Sequence, residues 1–232
     1  MDEGIVDKDN NVYFLHIAET GGRALKEYVL NPLFKKNADI VGKHDAWSTF
    51  INDKTYIVCI LRDPVKHACG FYLHFINKEK DGIDVKSQFL DYYRNTKHIH
   101  NFQSQNLVTS GQNFNYGKGE HSQKDIIEID EDLLQERINR VDLLISQDLL
   151  KDDIQQIAYI LADDLDLKPI QVLNVDKYKY YNVDSQNLYM SLTEDEKQEI
   201  QDLNSIDYKI YSQLRNKEFK KTGVEQWNFF WQ

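Results

Sequence analysis

Only three prolines and ten glycines punctuate the 232 residues of this chain. No Pro/Gly-rich linker divides it and no internal repeat runs through it, so it reads as a single domain, 1–232, with room for a sizeable core. Cysteine is scarcer still. Cys59 and Cys69 make no disulfide framework, and Cys59, set in an apolar run, reads as a small buried hydrophobe. The sequence contains no Asn-x-Ser/Thr acceptor site. No apolar run is long enough to span a bilayer, and the acidic opening Met1-Asp-Glu-Gly-Ile5 lacks the apolar segment of a signal peptide. These absences predict a soluble protein in a reducing, cytoplasmic setting. Basic charge is also in deficit: 28 Lys and Arg face 38 Asp and Glu, a formal net charge of −10. Nucleic acid and anionic membranes both demand a basic footprint, so neither is expected as a partner. A highly sulfated polymer would need a local basic groove, and the sequence shows none.

What is present centres on Val12–Leu25. Val12 to Ile17 is an apolar run that reads as a buried strand. Thr20-Gly21-Gly22 breaks it, and Arg23 to Tyr28 continues as a helix. Strand, glycine turn and helix together aim backbone N–H groups at an anion. Adjacent glycines let the backbone approach that anion with no Cβ in the way, although an ordinary tight turn uses the same residues. Thr55–Leu61 is a second apolar strand. It ends in Arg62-Asp63-Pro64, where Pro64 opens another helix at its first position. Arg62 therefore stands at a strand's C-terminal end, where open α/β sheets bind their ligands. Its alternative use is an ion pair with Asp63 or another carboxylate.

The rest of the chain alternates. Residues 1–10 read as a polar lead-in. The first helix reads as Gly22–Leu30, closed by Asn31-Pro32, and Ile40-Val41 as a short strand feeding Gly42–Trp47. From Pro64 to Phe75 apolar residues recur at three- and four-residue spacing. Further helices are expected at Val85–Arg94, near Ile99–Thr109 and at Glu131–Arg140. A strand follows at Val141–Ser146, then a long amphipathic helix at Leu150–Leu165 capped by Asp148 or a neighbour. Pro169–Val175 is expected to be extended. Thr193 and Glu196 form a capping box for a helix that breaks near Asn204-Ser205 and runs to about Phe219. Gly111…Gly117-Lys118-Gly119 is one residue too long for a nucleotide P-loop and no Ser or Thr follows the lysine, so it reads as a surface loop and weakens any ATP-using kinase reading. Lys177–Tyr181 reads as a solvated edge, with closure over a nucleotide as its alternative. The aromatic tail Trp227–Trp231 reads as docked on the domain, with a dimer contact or an acceptor-site wall as alternatives. Alternating strands and helices predict an α/β fold in which a central parallel sheet is flanked by helices on both faces.

His16-Ile-Ala-Glu-Thr-Gly-Gly-Arg-Ala-Leu25 resembles the H-I-P-K-T-G-G-T-S-L signature of carbohydrate-type sulfotransferases, relatives of the heparan sulfate 2-O- and 6-O-sulfotransferases. Leu61-Arg-Asp-Pro-Val65, followed by Phe71-Tyr72, is similar to that family's R-D-P-x-x-R-x-x-S-x-Y signature. Weaker likenesses at Arg140–Leu165, Leu173-Asn174 and Ile206–Tyr211 extend the resemblance over most of the chain. It implies a P-loop-like three-layer sandwich that moves a sulfuryl group from 3′-phosphoadenosine 5′-phosphosulfate (PAPS, leaving PAP) to a hydroxyl or amine, with no metal. It assigns Thr20, Gly21, Gly22, Arg23, Ala24 and Leu25 to the 5′-phosphosulfate and Arg62 to the 3′-phosphate. Gly70 stands where the family has a serine on that same phosphate. Lys43-His44-Asp45-Ala46-Trp47 resembles the H-A-D-W stretch whose histidine is the catalytic base, a role suited to a group that titrates near neutrality. A histidine in a surface loop is the other reading. His16 reads as packed.

Three positions depart from the family pattern. Glu19 replaces the lysine that binds the bridging oxygen, so it belongs with His44 among the residues that bear on catalysis. A carboxylate ~5 Å from a phosphosulfate oxygen costs roughly 3 kcal/mol at an effective dielectric of about 20. Arg23 and Lys26 are the surrogate cations nearest in sequence. Alternatively Glu19 points away, pairs with Arg23, or receives a cationic acceptor. Gly70 removes a hydroxyl worth about 1 kcal/mol, and Arg23-Ala24 exchanges two hydroxyls for a charge. Sulfuryl transfer, like phosphoryl transfer, rests on positioning and charge neutralisation. The expected function is a sulfotransferase acting on a small-molecule acceptor, with Glu19 suited to a cationic one. The alternative is a PAPS- or PAP-binding protein that has lost catalysis and serves as a sensor or interaction partner. The sequence sets no oligomeric state.

Overall fold

A computed structural model describes residues 5–7, 12–34, 47, 51–76, 84–109, 128–152, 154–172, 183–217 and 219–221. Ile40-Val41, His44, Gly111–Gly119, Leu173-Asn174, Lys177–Tyr181 and Trp227–Trp231 lie outside the described residues.

The apolar runs become the centre of a five-stranded sheet whose strands lie in chain order: β1 (Ile5–Asp7), β2 (Val12–Leu15), β3 (Tyr56–Leu61), β4 (Leu143–Ser146) and β5 (Phe219–Lys221). The three central strands are parallel, with Val12 opposite Tyr56 and Val58 opposite Leu143. They read as unbroken apolar runs because both their faces are covered. Successive side chains point to opposite sides: Tyr13, Leu15, Ile57, Cys59, Leu61 and Leu144 join one core cluster, and Val12, Phe14, Val58, Ile60, Leu143 and Ile145 join the other. The fold is thus mixed α/β, as the alternation predicts.

Helices close each cluster. The second is covered by α1 (Gly22–Leu25), a wider π-turn stretch at Lys26–Leu30, α2 (Asn31–Phe34) and, beyond β4, α7 (Gln147–Asp152) and α8 (Ile154–Asp164). The first is covered by α3 (Pro64–Phe71), a π-turn stretch at Tyr72–Ile76, α4 (Val85–Asn95), α5 (Phe102–Val108), α6 (Glu131–Arg140), α9 (Val183–Ser191), α10 (Glu194–Leu203) and α11 (Ser205–Lys217). Several starts follow from the local signals. The Asp63 carboxylate accepts from the Val65 and Lys66 amides at 2.9 and 3.0 Å, with Pro64 opening α3. The Thr193–Glu196 capping box starts α10, and Asn204 separates α10 from α11.

Four expectations need correction. Three residues of the polar lead-in form β1, since a strand at a sheet edge requires paired backbone groups and not an apolar pattern. Both β1 and β5 are antiparallel to their neighbours, so only the centre of the sheet is parallel. The first helical stretch runs through Asn31-Pro32 to Phe34 instead of closing there. The turn ahead of Pro32 widens to i→i+5 spacing, with the Asn31 amide on the Lys26 carbonyl, which relieves the clash a proline ring makes in a regular helix. The helix expected from Leu150 begins at Gln147, directly after β4, so the cap falls to a neighbour: Asp148 sits in the first turn and its amide donates to the Ser146 hydroxyl at 3.1 Å.

Candidate functional site at the strand ends

Parallel pairing brings the C-terminal ends of β2, β3 and β4 to one edge, with Leu15 opposite Cys59 and Leu61 opposite Ser146. The chain leaves these ends as Glu19-Thr20-Gly21, Arg62-Asp63 and Gln147-Asp148.

Gly21 adopts φ +94°, the left-handed conformation that favours glycine. A Cβ there would also stand 3.1 Å from Leu150 Cδ2. Gly22 has a different reason to be glycine. The His16 ring, stacked on Phe14 at 5.2 Å, lies across it, and a Cβ would come within 2.1 Å of that ring. His16 is packed, as expected. The Ala24 and Leu25 amides turn back to the Gly21 carbonyl at 2.9 and 3.4 Å. Those ahead of them belong to a helix start, where intrahelical acceptors run out. The Ala24 and Leu25 side chains are buried in the core, so only their backbones face the turn. Thr20 is fully buried and its hydroxyl donates to the Ile17 carbonyl at 2.8 Å. It locks the turn, and its proton is already engaged. Arg23 is exposed beside it.

Arg62 is only 5% exposed. Its backbone is clamped by the Gln103 side chain on α5. The Arg62 amide donates to Gln103 Oε1 at 2.8 Å, and Gln103 Nε2 donates to the Arg62 carbonyl at 2.9 Å. The Gln103 and Ser104 amides donate to Asp207 on α11 at 3.0 and 2.7 Å, and the Ser104 hydroxyl donates to the same carboxylate. The guanidinium Nη1 donates to the Glu19 carbonyl at 3.0 Å, while Nε has no hydrogen-bond partner among the described residues. Burial pulls the Arg62 pKa down, and the Glu19 charge opposes that shift. Asp63 is committed to capping α3.

Glu19 has φ +60°, unusual for a residue with a side chain. Its carboxylate is 17% exposed and Oε1 lies 3.4 Å from His74 Nδ1. Burial raises its pKa, against the pull of His74, Arg62 and Arg23. Gly70 makes room for this arrangement. A Cβ at that position would stand 2.7 Å from Arg62 Nη1 and 3.3 Å from Glu19 Oε2.

The flanking groups are structural. His67 places Nε2 2.9 Å from the Ala18 carbonyl, and burial, with Arg62 nearby, pushes its pKa down to about 3, so it is a neutral donor there. Tyr211 donates to Asp148 at 2.5 Å, and Lys66 reaches the same carboxylate at 3.4 Å. Both cysteines are buried and unoxidised, with their thiol pKa values raised by that burial, so neither is a reactive thiolate.

The structure thus brings Glu19, Thr20, Gly21, Gly22, Arg23, Arg62 and Gly70 together, and His44 lies outside the described residues. Sequence reasoning missed Gln103 and His74. Gln103 is 41 positions from the backbone it clamps, and no local pattern marks it. His74 carries one signal, its place on the helical stretch that Pro64 opens. Among the described residues no group of His, Cys, Asp or Glu is arranged to hold a metal ion, and no helix is long and apolar enough to cross a membrane. Comparison with protein-family models, curated proteins and solved structures finds no match to this chain.

Proposed function

We propose that the strand-end site binds PAPS and that the chain is a sulfotransferase acting on a hydroxyl or amine of a small-molecule acceptor, built on a P-loop-like three-layer sandwich. The observation that carries this reading is Arg62, a buried guanidinium beside a glycine turn, with an Nε lacking an acceptor among the described residues. A buried donor left unpaired is costly, and a phosphate oxygen satisfies it with a charge-assisted bond. The residues present fit the group: the backbone of Gly21 to Arg23, ahead of the first intrahelical bonds, offers N–H groups, Arg62 and Arg23 offer charge, and Thr20 holds the turn. When bound, PAPS supplies the sulfuryl group. The chain's part is to orient it, balance its charge and take the acceptor's proton on a histidine. For that proton the family resemblance names His44. The carboxylate of Glu19 and the net charge of −10 favour a small, cationic acceptor.

A second reading, a PAP-binding protein without turnover, draws on the same Glu19, whose carboxylate occupies the field of Arg62. PAP formation from PAPS, followed across a panel of amines and alcohols, separates the two. Turnover with any acceptor supports the enzyme. PAP binding with no turnover supports the second reading, and failure to bind PAP contradicts both.

A further inference from the structure

Glu19 and His74 meet at the same edge as the glycine turn. Glu19 Oε1 lies 3.4 Å from His74 Nδ1, and the two side chains differ sharply in exposure, 17% against 55%. The carboxylate is anchored by its own backbone, whose carbonyl holds the Arg62 guanidinium, and packs over Gly70. The imidazole rides on the π-turn stretch Tyr72–Ile76, a helix irregularity frequent at functional sites. The Phe75 ring meets it edge-on at 4.5 Å. A partly buried carboxylate 3.4 Å from one nitrogen of a half-exposed imidazole is an arrangement that orients the ring and selects its tautomer.

We infer that Glu19 and His74 form a base dyad, in which His74 Nε2 takes the acceptor's proton and Glu19 is the positioning residue that holds Nδ1–H. This rests on the sulfotransferase reading and replaces His44 as its base. It also gives Glu19 a reason to be acidic: the carboxylate that disfavours the donor orients the base. The proton moves from the acceptor O–H or N–H to Nε2, and the imidazolium then loses it to solvent at its exposed edge.

In the full chain, imidazole 15N shifts of neutral His74 report the Nδ1–H tautomer, and Glu19→Ala, which leaves Nδ1–H without that acceptor, returns the ring to Nε2–H. His74→Gln cuts PAP release from PAPS by about 100-fold or more, while its PAP affinity stays within about threefold of wild type. Glu19→Gln lowers the same rate and alters its pH profile. An Nε2–H tautomer in the wild type, wild-type PAP release by His74→Gln, or PAP binding with no turnover in the wild type overturns the dyad as a base. If PAP does not bind at all, the sulfotransferase reading falls, and the tautomer alone decides whether the pair exists.

Discussion

Gly70 decides where Arg62 lies. With a bare Cα at that position, the guanidinium settles against α3 and reaches the Glu19 carbonyl. Gly70→Ser therefore displaces Arg62 Nη1 from that carbonyl. The overpacking cost, about 1–3 kcal/mol, is measurable as a lower urea midpoint, and an unchanged midpoint contradicts the packing described. Gly22→Ala acts on a different neighbour, forcing the His16 ring off the turn, and is expected to destabilise the chain by a similar margin. The sequence shows that these positions are glycine and that Arg62 ends a strand. It does not show which side chain presses on each, because His16, Arg62 and Glu19 reach their glycines through the fold and not through spacing. The Glu19 side chain illustrates the limit: a charge opposite to the expected lysine is plain in the sequence, but its turn toward His74 depends on where the π-turn stretch Tyr72–Ile76 carries that ring.

At the scale of elements, α5 is the brace behind the site. Its start is capped from α11 by Asp207, and its Gln103 holds the Arg62 backbone. Burial pushes the Asp207 carboxyl up to about 6 from its usual 3.8, against the opposing hydrogen bonds of Ser104 and Gln103. A carboxyl whose folded pKa is raised favours the folded state while protonated. Its contribution is complete below about pH 3.8 and is lost as pH rises through about 6, a change on the order of 3 kcal/mol. Urea unfolding between pH 4 and 7 should show wild type losing stability relative to Asp207→Asn over that window, and parallel curves contradict this. Helix boundaries with a chemical signal were legible, as at Asp63-Pro64 and Thr193–Glu196. The passage of the first helical stretch through Pro32, and the start at Gln147, were not, because each depends on tertiary packing against the sheet.

Over the whole molecule, two apolar clusters sandwich a sheet whose centre is parallel and whose edges are not. Amides of β3 and β4 should exchange hydrogen only through global opening, and those of β1 and β5 through local fraying; equal protection across the sheet contradicts the two-sided core. Continuous apolar runs made the central strands readable, whereas Ile5–Asp7 and Phe219–Lys221 carry no such pattern. The proposed PAP site at this edge is built around Arg62. Calorimetric titration of the full chain with PAP tests it most directly, with Arg62→Ala as the paired variant and circular dichroism to confirm that the variant folds. Micromolar binding in the wild type, lost in the folded variant, is the expected result. No binding at millimolar PAP, or equal binding by both proteins, contradicts it.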